Sequence, residues 1–225
     1  MNIKAVILFF AVAVIGLYAC NKNASDLPIV HQKATVTVIN ATGDTVNFYQ
    51  NGTRLNIGSN LTPLGQYLDI PVNAGTSRFQ FKKAGNPNAF IDAPFTIKDS
   101  TSNTMFIAGE SLDKVFLFQD NFITDTNKNV AFIRFVNASP VDGVLNVAIN
   151  NDTTNFTAVP FKSATDFAVV RSGKVSLAVR RGSDTTKVLS GSITLVDHVS
   201  YTLFTKGVLN GTGVNAFGAR ILPTQ

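Results

Sequence analysis

Residues 95–109 read FTIKDSTSNTMFIAG, and residues 193–207 read ITLVDHVSYTLFTKG. The two stretches align without a gap at a spacing of 98 positions, and six of the fifteen aligned residues are identical. Such self-similarity at a fixed spacing is the sequence signature of an internal repeat. The chain therefore carries two copies of one folding unit.

The similarity extends upstream of these stretches. VTVINAT, at residues 36–42, matches IRFVNAS, at residues 133–139. A polar segment rich in Asp, Asn and Thr separates the two copies. We predict a first domain over residues 30–122, a linker over 123–129 and a second domain over 130–225.

Apolar residues alternate with polar ones inside both copies, as expected for half-buried strands. Phe79 and Phe81 point to one side of such a strand in the first copy, and Ile133 and Phe135 do so in the second, with Arg134 on the opposite side. Turn sequences such as NGT and RGSD separate these runs. About seven short strands per copy predict an all-β protein with two tandem antiparallel β-sandwich domains of immunoglobulin-like size.

The N-terminus has the pattern of an export signal. One positive side chain, Lys4, precedes an apolar run over residues 5–19, and the chain's single cysteine, Cys20, follows. The run is too short to cross a bilayer comfortably. Leu-Tyr-Ala-Cys, ending at Cys20, resembles the lipobox of bacterial lipoproteins, which implies a signal peptide over 1–19 and a lipidated tether over 20–29. An ordinary signal peptide with an incidental cysteine is the alternative.

One strand-turn-strand segment reads VNASP (136–140) followed by LNVAIN (145–150), and a looser copy reads INATG (39–43) followed by VNFYQNG (46–52). These segments resemble a bacterial cell-envelope family, the domain of unknown function 4397 family. Asn47 and Asn146 stand where the family usually has Asp. The resemblance implies an exported, Bacteroidota-like lipoprotein with tandem β-sandwiches, and it implies no activity. An Asn in such a segment can close a turn by binding the backbone two residues on.

The residues that usually mark an enzyme are sparse in this chain. Glu110 is the only glutamate, so a glycosidase with paired glutamates is excluded. His31 falls in the tether region and His198 in a turn, and neither has an obvious nucleophile or metal partner. The oxygen-rich segments DSTSN (99–103) and NNDTTN (150–155) lack the regular ligand spacing of a Ca²⁺ loop. We predict no enzymatic activity, no metal and no cofactor.

Six residues are candidate ligand contacts. Exposed aromatic side chains grip sugar faces, and paired basic residues at equivalent strand ends can meet anionic polysaccharide or lipid headgroups, although such pairs also protect hairpin ends. The candidates are Tyr49, Tyr67, Lys82, Lys83, Arg180 and Arg181.

Four Asp-Ser/Thr tripeptides resemble the O-glycosylation sites of Bacteroidota. The acceptors would be Thr45, Ser100, Thr153 and Thr185.

Two functions from different classes fit these features. The first is a structural or interaction protein, held by its lipid anchor at the outer membrane or cell surface, with a protein partner in the envelope. The second is a glycan-binding accessory lipoprotein for nutrient uptake, which the absence of Trp and the count of four Tyr disfavour. A formal net charge of +5 without clustered Lys or Arg argues against nucleic acid as a partner. Whether the protein faces outward or into the periplasm stays open.

Overall fold

The computed structural model describes residues 33–141, 143–149, 154–182 and 187–224. These residues belong to one compact unit. Several sequence-based predictions fall elsewhere: the signal peptide, Cys20, the tether, His31, Thr153 and Thr185 lie outside the described residues.

The described residues form strands joined by turns and two short 3₁₀ turns, Leu112–Lys114 and Gly213–Asn215. No helix among them is long and apolar enough to span a membrane. The strands are β1 (Lys33–Asn40), β2 (Val46–Gln50), β3 (Thr53–Arg54), β4 (Gln66–Asn73), β5 (Gly75–Lys83), β6 (Ala89–Ile97), β7 (Ser102–Ile107), β8 (Val115–Gln119), β9 (Val130–Asn137), β10 (Leu145–Ile149), β11 (Thr154–Val159), β12 (Ser163–Ala164), β13 (Ala168–Arg171), β14 (Gly173–Arg181), β15 (Lys187–Leu195), β16 (Ser200–Lys206) and β17 (Gly218–Pro223).

Each repeat builds two sheets. The first repeat has an inner sheet in the order β4-β1-β7-β8 and an outer sheet in the order β3-β2-β5-β6. The second repeat has an inner sheet, β12-β9-β16-β17 with β13 also paired to β9, and an outer sheet, β11-β10-β14-β15. The predicted all-β class is confirmed. Most pairs are antiparallel, but β1 with β7 and β9 with β16 are parallel, which alternation of apolar residues does not reveal.

Each repeat has an apolar core between its own two sheets. In the first, Phe48, Phe79 and Phe81 from the outer sheet pack with Val36 and Met105 from the inner sheet. Because side chains alternate between the two faces of a strand, every second residue reaches this core. The second core has the same origin and is built mostly from smaller Val, Leu and Ile side chains.

A third apolar cluster lies between the two inner sheets. Ile39, Phe106 and Phe116 from the first repeat meet Val136 and Phe204 from the second. The rings of Phe106 and Phe204 meet edge to face, with centroids 5.4 Å apart. The inner sheets are therefore covered on both faces. Whether each half folds as a separate domain, as the boundaries 30–122 and 130–225 predict, stays a prediction.

The predicted turn chemistry appears at the β2–β3 hairpin. Asn51 (φ 49°) and Gly52 (φ 83°) both have the positive φ that a tight two-residue hairpin turn requires. Gly75 and Gly173, 98 positions apart, share a φ of 95° at the start of β5 and β14. The repeats therefore coincide in backbone conformation as well as in sequence.

Candidate binding cleft and outer sheet faces

The family-like segments are held by two buried asparagines. The Oδ1 atom of Asn40 accepts a hydrogen bond from the backbone N of Thr42 at 3.0 Å, and Asn137 does the same for Ser139 at 3.1 Å. Both asparagines are fully buried. This hydrogen bond closes the same turn in both repeats.

The side chains of Asn47 and Asn146 bind neighbouring segments. Asn47 accepts hydrogen bonds from Arg54 at 2.7 Å and from Asn56 at 2.9 Å. Asn146 accepts one from the backbone N of Ala158 at 2.6 Å and donates to the carbonyl of Gly182. These two side chains connect their strands to neighbouring segments and do not close turns.

The two turns contribute to an open cleft of about 480 Å³, which we name the shared cleft. It has walls from both repeats, because the loops that follow β1 and β7 meet those that follow β9 and β16. Its lining comprises Ala41, Thr42, Gly43, Asp44, Ala108, Gly109, Glu110, Lys114, Pro140, Gly207, Val208, Val214 and Asn215.

One close contact connects the two repeats at the shared cleft. A Cβ atom at Gly43 would lie only 2.2 Å from a methyl carbon of Val214, so the loop of the second repeat can approach only because Gly43 lacks a side chain. Val214 and Val208 are nevertheless exposed. The cleft therefore presents apolar side chains to solvent.

Charged groups surround the same cleft. The Nζ atom of Lys83 lies 2.9 Å from Glu110 and 3.1 Å from Asp44. Its hydrogen bonds to Glu110 and then Asp44 raise the pKa of Lys83, so its charge is retained. A neighbouring cavity of about 260 Å³ shares Pro140 and Val208 with the cleft and is also lined by Arg181.

A buried ion pair lies between the inner sheets. Arg134 and Asp120 are each 2% exposed, and NH1 of Arg134 lies 2.5 Å from the carboxylate. Thr104 and Thr202 accept two further hydrogen bonds from the guanidinium, at 2.9 and 3.0 Å. Burial lowers the pKa of Arg134, and the charge of Asp120 opposes that effect.

Two aromatic rings contact the same guanidinium. The Cζ atom of Arg134 lies 4.9 Å from the ring centroid of Phe118 and 4.7 Å from that of Phe167. Cation–π contacts of this kind are strongest when water is excluded. Alternation along the strand predicts that Arg134 lies on the side away from the core, and the structure buries that side against the first repeat.

The outer sheet of the first repeat exposes a polar and aromatic face, which we name the Tyr49 face. The Nζ atom of Lys82 lies 4.8 Å from the ring centroid of Tyr49. On the adjacent strands Asp92 accepts hydrogen bonds from Arg78 and, at 2.8 Å, from Gln80. The hydrogen bonds from Arg78 and Gln80 lower the pKa of Asp92, so this face holds fixed, charged hydrogen-bonding groups.

The remaining candidate contacts lie apart from this face. Tyr67 lies on β4 and packs edge to face against Phe48 in the first core, at 6.0 Å, whereas Tyr49 is on the opposite face of β2. Lys83 lies beside the shared cleft and Arg181 lines the neighbouring cavity. Arg180 pairs with Asn146 on the outer sheet of the second repeat. The structure therefore brings together Tyr49 and Lys82 and separates the other candidates.

Two candidate glycosylation acceptors lie in described turns. Ser100 is exposed, with a φ of 55°, in the turn between β6 and β7, and Thr45 is partly exposed just before β2. His198 occupies the matching turn of the second repeat, with a φ of 58°, as the sequence placed it. The described residues contain no group of three or more His, Cys, Asp or Glu arranged to hold a metal ion.

The model of the family described as "Domain of unknown function (DUF4397)" matches residues 34–148 and again residues 131–217. The chain belongs to this family. The first match of the DUF4397 model extends from the first repeat into β9 and β10, and the second match covers most of the second repeat. Both matches include an Asn-centred turn of the kind described above. No curated protein matches the chain.

One solved structure similar to this DUF4397 chain is CBMbc, a family 26 carbohydrate-binding module of Eubacterium rectale Amy13K, in complex with maltoheptaose. Its sequence is 12% identical, the similarity covers 86% of this chain and 97% of the other, and the TM-score is 0.27. At that TM-score the likeness carries no argument about function.

Proposed function

We propose that the protein is a non-catalytic, lipid-anchored interaction protein of the bacterial cell envelope, and that a protein partner binds at the shared cleft. The observation that carries this proposal is the cleft itself, which is built by loops of both repeats and presents Val208 and Val214 to solvent. Loops supported by rigid sheets are the usual carriers of binding function. An exposed apolar patch bordered by charged groups is typical of a protein contact.

The anchor belongs to the proposal through Cys20 and the apolar run before it. Several acyl chains would hold the protein on a membrane almost permanently. We expect mass spectrometry of the mature protein to find an acylated Cys20 as the first residue, and Cys20→Ser to leave an uncleaved or soluble precursor. An unmodified thiol in the membrane fraction would refute the anchor. Protease treatment of intact cells then separates an outward-facing protein, which is cut, from a periplasmic one, which is protected.

The partner site is tested with a matched pair of variants. Val214→Lys places a charge at the cleft, and Val196→Lys places one on an equally exposed valine at the other end of β16. Val196 corresponds to Lys98 in the first repeat, so that lysine suits the fold. We expect a crosslinked partner adduct in cells to be lost in Val214→Lys and kept in Val196→Lys. Equal adduct in both variants would remove the cleft from the proposal.

A glycan ligand is the second candidate, and the Tyr49 face favours it. Tyr49, Gln80 and the Arg78–Asp92 pair combine an aromatic ring with fixed hydrogen-bonding groups on one flat sheet. Lys82 covers one side of the ring, so a sugar would stack on the other side or displace it. Binding of a defined oligosaccharide on a glycan array, abolished by Tyr49→Ala and kept by Tyr67→Phe, would establish this alternative in place of the protein partner.

A further inference from the structure

Strand β15 is an open edge strand of the second outer sheet. No strand of the described residues pairs with its outer side, and Ser190, Gly191 and Ser192 at its centre are all exposed. An edge of this kind presents unpaired backbone N–H and C=O groups to another strand. Proteins usually block such an edge with charged residues or proline.

The first repeat blocks the equivalent edge. Asp92 and Pro94 of β6 stand 98 positions before Ser190 and Ser192. Pro94 lies opposite Arg78, and Ser192 lies opposite Ser176 at the matching point of the ladder. Because a proline has no N–H, a strand tolerates it only where that N–H would point away from the sheet. By equivalence the N–H of Ser192 points outward and is available to a second strand.

An apolar cavity of about 250 Å³ lies beside β15. The first repeat has Phe79, Phe81 and Phe95 at positions where the second has Leu177, Val179 and Ile193, which all line this cavity. Because these smaller side chains replace three phenylalanine rings, the second sandwich is open on one side. On that side β15 is the edge of the outer sheet and β17 is the edge of the inner sheet. An added strand along β15 would cover this opening.

The sequence at the centre of β15 is nearly palindromic, and this identifies the added strand. Leu-Ser-Gly-Ser-Ile spans residues 189–193. In an antiparallel pair centred on Gly191, Ser190 of one copy lies opposite Ser192 of the other, and Leu189 lies opposite Ile193. Lys187 lies at the first position of the strand, so the lysines of two copies fall at opposite ends of the pair. Such self-complementarity is what a two-fold interface requires.

We propose that two copies of the chain pair through β15, antiparallel about Gly191, and join their outer sheets into one continuous sheet. The paired strands cover the apolar cavity beside β15 in each copy. This dimer is independent of the shared cleft and of the Tyr49 face, which both involve other elements.

The first test introduces into the second repeat the proline that blocks the sheet edge of the first repeat. Ser192→Pro reproduces Pro94 at the matching ladder position, so the sandwich should keep its fold, checked by circular dichroism and thermal unfolding. In sedimentation velocity of the full chain in detergent, we expect a concentration-dependent dimer for the original chain and a monomer for Ser192→Pro. A monomeric original chain, or a folded Ser192→Pro that still dimerises, would overturn the proposal.

The second test uses charge pairing across the two-fold axis. Ser190→Lys with Ser192→Lys places like charges opposite each other twice and should raise the dimer dissociation constant by about tenfold or more. Ser190→Lys with Ser192→Glu places opposite charges at the same points and should keep the dimer. Equal weakening in both double variants would contradict the register about Gly191. If the chain is a monomer that crosslinks through β15 to a different protein in cells, the added strand belongs to that protein and the proposed dimer is wrong.

Discussion

The outer sheets of the two repeats have equivalent strand orders but different outward faces. Where the first sheet carries Tyr49, Arg78 and Gln80, the second carries Ala148, Ser176 and Ala178. The inward residues of both sheets stay apolar. The two repeats have therefore kept the apolar inward face of this sheet and changed its outward face, on which Ala148 and Ala178 of the second repeat are buried.

The inner sheets differ in the same way where they meet. Arg134 and Asp120 of the interface correspond in strand position to Thr37 and Thr224, which are also buried. The Oγ1 atom of Thr224 lies 2.6 Å from that of Thr202. Equivalent strand positions thus hold an ion pair in one case and threonines in the other.

Removing one member of that ion pair should give the largest effect. Asp120→Ala leaves the charge of Arg134 buried without its partner, which costs about 3–5 kcal/mol of unfolding free energy in comparable pairs. Denaturant unfolding measures the loss. The double variant Asp120→Leu with Arg134→Met replaces both charges and should recover most of it. A full additive loss in the double variant would show that charge burial is not the cause.

The two cores should respond differently to loss or gain of volume. Phe81 is fully buried in the first core, and Phe81→Ala should cost about 3–5 kcal/mol through lost burial and a new cavity. Leu177→Phe copies the first repeat into the cavity of the second and should be neutral or stabilise by roughly 0.5–2 kcal/mol. Thermal unfolding of both variants compares them. Strong destabilisation by Leu177→Phe would mean that the second sandwich cannot accept the ring.

The two turn asparagines should behave alike. Asn40→Ala and Asn137→Ala each remove a buried side chain that binds the backbone, and each should cost about 1–3 kcal/mol because buried polar partners lose their hydrogen bonds. Chemical denaturation of the two variants gives the comparison. A large loss in only one repeat would show that the turns are not equivalent.

Acid titration should distinguish the outer sheets of the two repeats, and its effect on stability should be the smallest of these. The pKa of Asp92 is lowered in the folded state by Arg78 and Gln80, so its contribution to stability is present above its unfolded pKa and is lost as the pH falls through its folded pKa. Asp92→Asn should remove this part of the pH dependence. Ser190→Asn, at the matching position of the second repeat, should leave the profile of unfolding midpoint against pH unchanged.

Much of the fold could be predicted because it follows local rules. Alternation identified the strands and the inward Phe79 and Phe81, and Asn-Gly identified the hairpin turn at residues 51–52. Alternation gives a strand two faces but does not say what covers the second, so the burial of Arg134 was missed. A single charge inside an apolar strand was the available signal.

The shared cleft could not be predicted for a related reason. Its walls come from loops that are far apart in the chain, such as those of Gly43 and Val214, and no local pattern relates them. Tyr49 and Tyr67 are both candidate ligand contacts in the sequence, but their side chains lie on different faces. Tyr67 lies on a different strand whose core-facing register only the structure determines.

Separating the two repeats and recombining them tests whether the chain consists of two sandwiches joined by one interface. Fragments 30–126 and 128–225 carry Asp120 and Arg134 apart, and each exposes its half of the apolar cluster between the inner sheets. We expect each fragment to give a sheet-type circular dichroism spectrum, and the mixture to form a complex that contains equal numbers of the two fragments in light scattering and that Asp120→Ala weakens. Two folded fragments that do not associate, or two that are unfolded until mixed, would contradict the account of two sandwiches joined by one interface.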